Sequence, residues 1–407
     1  MNTNLASEPI SSSTDLVPRR GRIDVGAIRR LADAAQTHAS ALRREVLAPN
    51  SKKTARMFSS AQVASMCGID LVHMKYRVSK GDLPSGHVGK SGTRRMFTLP
   101  EARQWTRSYR KELMRPRDQQ SVTIAVANFK GGVTKTSTAM VLAQGMSARG
   151  HRVLAVDLDP QGSLTTLHGI LPETDVADAM TAFPVFRGEA DNIRSAIRQT
   201  YWDGVDLVAA ATLLYGAEFH LASMSNTNPG SQFWSVLDKA LDSVRGDYDI
   251  IILDTPPSLG FITVNGLWAA DGLLVPIPPT GLDFASSTQF WKLLADLGES
   301  LDSRSAPRDH KRFEFVSVLL SRVDSADSVV PYVREWIQAV YGKHVLPLEI
   351  PRTSVTTNQS AEYATVYDIE RYEGSDKTYR RAFDAYERLV DLIEQSCVTS
   401  WRERAKA

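Results

Sequence analysis

Hydrophobic positions along the chain change their spacing three times, and each change marks a boundary. Residues 1–24 are rich in Ser, Thr, Asn and Pro and carry no apolar period, which predicts a disordered tail. From Val25 to Leu47 the apolar positions fall at helical spacing: Ile28, Leu31, Ala34, Ala35, Ala39, Leu42 and Val46 form one narrow stripe. A lone helix of that length is marginal in water, so residues 25–50 are expected to pack on their own domain or on a second subunit. Pro49, Asn50 and Ser51 then break the chain.

Residues 51–117 predict a small helical domain. Ser59 and Gln62 have capping-box spacing, with Phe58 and Val63 placed as a hydrophobic staple. That helix should stop near Gly68, and Asp70 should cap a second one running to about Lys80. Gly81, Pro84, Gly86, Gly89 and Gly92 make a turn-rich stretch leading into Arg94-Arg95-Met96-Phe97, short enough to be a wing. Thr98 and Glu101 form a second capping box around Pro100 and open a helix expected to reach about Met114. Helix, tight turn, basic helix, wing and helix is the layout of a winged helix-turn-helix.

Residues 118–407 read differently. Short β-branched runs stand at 122–127, 153–157, 205–209, 250–254, 273–277, 313–320 and 345–350. Most are continuously apolar, as strands buried on both faces must be, and helix-compatible stretches separate them. The predicted class is α/β: a mostly parallel sheet with helices on both faces, preceded by the small winged helix-turn-helix domain.

Charge sharpens this division. The 407 residues hold 48 Lys and Arg against 46 Asp and Glu, yet residues 1–120 carry 22 basic to 10 acidic and the remainder 26 to 36. Such a split points to a nucleic-acid-seeking module joined to a domain with another task; a solvated basic surface is the plainer alternative. Cys67 and Cys397 lie far apart without CxxC spacing, so neither a disulfide framework nor a cysteine zinc site is supported, and the expected compartment is reducing. The histidines show no HxxxH or HxH spacing. No apolar stretch approaches the roughly 18–20 residues that span a bilayer.

The candidate chemistry begins at Asn128-Phe129-Lys130-Gly131-Gly132-Val133-Thr134-Lys135-Thr136-Ser137, directly after the first run of the α/β region. A phosphate needs converging backbone N–H groups, and paired glycines allow close approach. A helix N-terminus adds partial positive charge, Lys135 a full one, and Thr136 a hydroxyl for Mg²⁺. The usual GxxxxGK[ST] expression fails at Phe129 and Thr134, whereas KGGxxK[ST] fits and adds Lys130. Should position 134 need a positive φ, its β-branched residue costs energy. Asp157 and Asp159 close the second strand and Asp254 a later one, so all three motifs should meet at the carboxyl edge of the sheet. There an acid can hold a Mg²⁺-bound water or orient an attacking water.

These motifs resemble those of ParA-type DNA partition ATPases, within the larger deviant-Walker family that includes MinD and the nitrogenase iron protein. The resemblance rests on Lys130–Ser137, Asp157-Leu158-Asp159-Pro160-Gln161 and Leu253-Asp254-Thr255-Pro256-Pro257. Val275-Pro276 with Asp283 and Ile350-Pro351-Arg352 carry it more weakly, and it covers roughly residues 121–395. It implies ATP and ADP binding with Mg²⁺. Lys130 would reach the phosphates of the opposite subunit in an ATP-sandwich homodimer, and Gly131, Gly132, Val133, Thr134, Lys135, Thr136 and Ser137 would wrap the nucleotide. Thr136 and Asp254 would serve the metal, with Asp157 nearby; Asp159 would position the hydrolytic water, and Pro351 and Arg352 would lie beside the adenine. Relatives with an N-terminal helix-turn-helix often lack glycine at the Thr134 position.

The N-terminal part resembles that of larger plasmid ParA proteins, with a dimerising helix at 25–50 and a MerR-type winged helix-turn-helix. The implied DNA contacts are Lys75, Arg77 and Lys80 on the second helix, with Lys90, Arg94 and Arg95 on the wing. The expected role is DNA segregation: weak ATP hydrolysis stimulated by DNA and a ParB-like partner, nonspecific DNA binding in the ATP state, and operator binding through the N-terminal module. The expected place is cytoplasmic and nucleoid-associated. One alternative is a nucleotide-regulated repressor with little hydrolysis. A MinD-like membrane cycle is opposed by the acidic last helix, which carries Asp384, Glu387, Asp391 and Glu394 beside the apolar face of Tyr379, Phe383, Tyr386, Leu389, Val390 and Ile393; packing against the sheet is the expectation there.

Overall fold

Helix α1 (Val25–Val46) is the one described element of a first unit, Met1–Lys52, and every other element belongs to a second, Lys53–Ala407. The computed structural model describes residues 23–46, 53–88, 94–227, 231–306, 310–353, 355, 364–370 and 374–406. Nearly all of the expected tail at 1–24, together with Lys90, therefore lies outside the described residues. Taken by itself, α1 leaves Val25, Ile28 and Leu31 exposed on its stripe.

The second unit opens with β1 (Phe58–Ser59), α2 (Ser60–Cys67), α3 (Leu71–Lys80), β2 (His87–Val88), β3 (Arg95–Phe97) and α4 (Leu99–Tyr109). Both capping boxes form. Ser59 Oγ accepts from the Gln62 N–H while Gln62 Oε1 accepts from the Ser59 N–H, and Thr98 and Glu101 repeat the exchange. Gly68 and Gly81 close α2 and α3 in the left-handed conformation. The strands pair antiparallel in the order β1-β3-β2. Gly86 enters β2 at φ 65°, where a Cβ would stand 2.7 Å from the Met96 carbonyl and 2.9 Å from the Phe97 ring, so only glycine fits. Helix α4 stops at Tyr109 rather than near Met114. Arg110 turns its guanidinium onto Glu394, and a 3₁₀ turn at Lys111–Leu113 follows ahead of Pro116.

The remaining elements are β4 (Val122–Val126), α5 (Lys135–Ala148), β5 (Val153–Asp157), α6 (Ser163–Leu167), α7 (Phe183–Phe186), β6 (Arg198–Gln199), β7 (Val205–Val208), α8 (Leu214–Thr227), α9 (Val236–Asp242), β8 (Ile250–Asp254), α10 (Phe261–Ala269), β9 (Gly272–Ile277), α11 (Gly281–Asp302), β10 (Phe315–Val323), α12 (Val330–Tyr341), β11 (Val345–Pro351) and α13 (Asp376–Arg404). Their sheet runs β11-β10-β9-β4-β8-β5-β7-β6, parallel throughout except for the short edge strand β6. Each of the seven apolar runs became a strand. Alternation along them divides the core: Val122, Ile124, Val153, Ala155, Ile250 and Ile252 face one layer, and Ala125, Leu154, Val156, Ile251 and Leu253 the other. The apolar face of α13 lies against the first layer with Tyr386, Leu389, Val390 and Ile393 buried.

The elements from β1 to α4 share that first layer: Phe58, Val63, Met74, Phe97 and Trp105 belong to one continuous core with α5 and α13. The expected division at 117/118 is thus crossed by packing. Helix α4 also supplies cations to the last turn of α5. Arg103 donates to the carbonyls of Ser147 and His151, both at 2.9 Å, and pairs with Asp203; Arg107 donates to Gly150 at 3.0 Å, and the Thr106 hydroxyl to Ala148 at 3.1 Å. Positive charge on those C-terminal carbonyls satisfies their lone pairs and opposes the helix dipole. A second joint lies at Lys53, whose ammonium donates to Asp368 at 3.0 Å and to the Leu167 carbonyl at 2.9 Å.

Candidate nucleotide site

Strands β4, β8 and β5 are neighbours, and in their register Asp254 stands opposite Val126 on one side and Asp157 on the other. The loop after β4 therefore emerges beside both acids. It bounds a cavity of about 530 Å³ whose lining includes Gly131, Gly132, Thr134, Lys135, Thr136, Ser137, Asp159, Pro351 and Arg352. The three motifs do meet at the carboxyl edge of the sheet.

Within the loop, side chains tie the backbone down. Asn128 accepts from the Lys130 N–H at 3.1 Å and donates to the buried Pro276 carbonyl at 2.9 Å. The Lys135 ammonium donates to the Lys130 carbonyl at 2.9 Å. Gly132 takes φ 75° and Thr134 φ 76°, so the β-branched residue does occupy a left-handed position, at a cost of order 1–3 kcal/mol. Val133 is buried, which leaves only its backbone to face a phosphate. Thr134 directly precedes α5, so the pocket sits at that helix's N-terminus.

The acids differ in what they touch. Asp157 is fully engaged: one oxygen accepts from the Asp159 N–H at 3.1 Å, the other from the Thr165 N–H and hydroxyl, both at 2.8 Å. Burial pushes its pKa up to about 7 against those bonds, and the Asp159 charge adds to the rise. Asp254 is equally buried, yet neither of its oxygens has a hydrogen-bond partner. Burial, then the Asp157 charge, raises its pKa well above the usual carboxylate range, while the Thr136 side chain and the Lys135 ammonium pull it back. A doubly orphaned buried carboxylate next to a threonine hydroxyl fits a magnesium ion or its bound water, because such a ligand supplies the missing partner. Burial lowers the Lys135 pKa, with Asp254 and Asp159 opposing. Asp159 faces the cavity and accepts from the Gln161 N–H at 2.9 Å.

Lys130 points elsewhere. Its ammonium sits 2.5 Å from Asp283 Oδ1, a third exposed, and it does not line the cavity. At the far wall, β10 ends in a register shift against β11. Arg322 there takes φ 52° and donates to the Gly132 carbonyl at 2.8 Å, while the buried Ser321 hydroxyl donates to the Val133 carbonyl at 3.1 Å. No local motif signals either residue. Thr365, which also lines the cavity, bonds Gln144 of α5 and the same Asp368 that holds Lys53.

On the N-terminal module, Lys75 and Lys80 project from α3, the latter with its ammonium 4.8 Å from the Tyr76 ring centre, and Arg94 is exposed ahead of β3. Arg77 is drawn back instead: it pairs with Asp82 at 2.6 Å and donates to the Tyr109 hydroxyl at 3.2 Å. Arg95 bonds the Ser85 carbonyl. Two residues that charge reasoning passed over, Val72 and Tyr76, share the exposed face of α3 with Lys75 and Lys80. No described helix is long and apolar enough to cross a membrane.

A model of the AAA domain family matches residues 121–304. A Rhizobium rhizogenes protein named for replication (replication protein A) is 30% identical over 92% of this chain and 95% of its own length. The chromosome partitioning protein ParA of Caulobacter vibrioides is 32% identical over 61% of this chain and 87% of its own. Among solved structures, one described as a partition protein superposes with TM-score 0.59 at 21% identity, covering 91% of this chain and 99% of its own. The cobyrinic acid a,c-diamide synthase of Mycobacterium smegmatis, crystallised with an ATP analog and magnesium, gives 0.52 at 29% identity over 67% and 93%.

Proposed function

Because this chain belongs to the ParA family of partition ATPases, we propose that it segregates DNA by hydrolysing ATP as a nucleotide-sandwich homodimer. The observation that carries this reading is the division of labour between two lysines. Lys135 serves the protomer's own pocket, while Lys130 stands outside it on Asp283, available to a phosphate bound by a second copy. Gly131, Gly132 and the N-terminus of α5 bind the phosphates, and Pro351 and Arg352 flank the base. Asp159 orients the attacking water, and Asp254 with Thr136 holds the metal; Asp157, saturated by Thr165 and Asp159, shapes the loop beneath them. When bound, Mg²⁺ neutralises charge developing between the β- and γ-phosphates.

ATP favours the dimer with affinity for nonspecific DNA, and a ParB-like partner on the cargo stimulates slow hydrolysis and release; differential affinity for the two states does the switching. The module from β1 to α4 reads operator DNA as a winged helix-turn-helix. The mixed face of α3 supports that reading, since Lys75 and Lys80 suit phosphates and Val72 and Tyr76 suit base edges. Lys90 and Arg94 add wing contacts, whereas Arg77 and Arg95 serve the module's own folding first. Helix α1 contributes a dimer seam that covers Val25, Ile28 and Leu31, and the ATP state associates with the nucleoid. The test is turnover stimulated by DNA and partner: Lys130→Ala lowers it on the order of 100-fold, and Asp159→Ala keeps ATP binding but loses turnover. Wild-type rates in Lys130→Ala remove that lysine from the mechanism.

A further inference from the structure

Two non-glycine residues among those described have a positive φ, Thr134 and Arg322, and both line the same cavity. They are 188 positions apart in sequence numbering, so the coincidence is spatial and needs a spatial reason. Strained backbone persists where its surroundings over-determine it, and here the surroundings are the phosphate loop. The irregularity between β10 and β11 turns Arg322 out of the ladder and toward Gly132, as bulges re-aim side chains next to sites.

Peptide planarity gives the contact its meaning. The C=O of one residue and the N–H of the next lie in one plane and point in opposite directions. Holding the Gly132 carbonyl against Arg322 therefore directs the Val133 N–H the opposite way. Holding the Val133 carbonyl against Ser321 does the same for Thr134. Successive N–H groups fixed on one side make an anion nest. We infer that Ser321 and Arg322, at the end of β10, are positioning residues that clamp the carbonyls of the phosphate loop outward, so that its N–H groups are preorganised for the β- and γ-phosphates. The clamp also accounts for Thr134: with the Gly132 and Val133 carbonyls just before it pinned, the loop holds the left-handed turn that glycine would otherwise adopt unaided.

This inference rests on the reading of the loop as the phosphate site, and the experiment separates the two. Equilibrium binding of AMP, ADP and ATP is measured on the full chain for Arg322→Gly, Arg322→Lys and Lys135→Gln. Glycine suits φ 52°, so Arg322→Gly keeps the backbone while removing the side chain and its guanidinium; thermal unfolding checks that the fold is retained. The clamp predicts that Arg322→Gly weakens ADP and ATP roughly tenfold, leaves AMP alone, and is largely restored by Arg322→Lys, which keeps a charged donor. Ser321→Ala should lose part of the same affinity, and Ser321→Thr should regain it through its hydroxyl. Unchanged ADP and ATP binding in Arg322→Gly, with Lys135→Gln unable to bind, overturns the clamp. Equal loss for all three nucleotides overturns it too, because the arginine then meets the base or ribose. Undiminished binding in Lys135→Gln overturns instead the assignment of the loop.

Discussion

The nucleotide pocket and the α3 surface are both assigned to phosphate, and they hold their cations in opposite ways. Lys135 is buried, bonded to a loop carbonyl and surrounded by backbone fixed from β10 and Asn128. Lys75 and Lys80 stand in solvent, the Lys80 ammonium resting over the Tyr76 ring. The pocket meets one anion with groups already in place, so ordering is complete before the ligand arrives. On the proposed function, the α3 face meets a long polyanion with flexible side chains whose contribution is mostly counterion release. Helix α4 joins the two, because Arg103 and Arg107 grip the end of the helix whose other end forms the pocket.

Three variants sharpen that contrast. The largest effect is expected at Asp254. Asp254→Asn keeps the shape and removes the charge, so Mg²⁺-dependent phosphate release should fall on the order of 100-fold or more, with the buried amide leaving the fold intact; a steady-state assay over a magnesium titration reads both. Next comes the joint. Arg103→Ala removes charge-assisted bonds to the Ser147 carbonyl of α5, to the His151 carbonyl just beyond it and to Asp203, and should cost about 1.5–3 kcal/mol of unfolding free energy without altering the Kd for ATP. Denaturant melts and nucleotide titration check the pair, and a matching loss of ATP affinity would show that the joint also shapes the pocket. The smallest effect belongs to the flexible cations. Lys75→Ala with Lys80→Ala should lower operator affinity roughly tenfold and flatten the logarithmic salt dependence by about two units, leaving ATPase rates unchanged in the absence of DNA.

What the sequence made legible follows the same line. Strands buried on both faces of a parallel sheet must be continuously apolar, so seven of the eight were readable as runs; β6, two residues of Arg198 and Gln199 at an edge, had no such signature. The loop from Lys130 to Ser137 was readable because its chemistry is local. Arg322 was not, since its partner Gly132 lies far along the chain and a positive φ leaves no mark on an arginine. Helix α4 ends early for an equally distant reason, the pull of Glu394 on Arg110. The docking of the N-terminal helices was hidden because they grip backbone carbonyls, which no side-chain pattern records. Arg77 is the exception that local reasoning had in reach: Asp82 lies only five residues on.

The central claim is that Lys130 acts on the nucleotide of the other protomer, and mixing two inactive proteins tests it most directly. Lys130→Ala keeps Asp159, and Asp159→Ala keeps Lys130. If the lysine acts across the interface, a mixed dimer holds one site with both groups intact, and equal amounts should recover about a quarter of the wild-type stimulated rate by random pairing. A mixture as inactive as either protein alone, with mixed dimers verified, would place Lys130 in its own pocket and contradict the account.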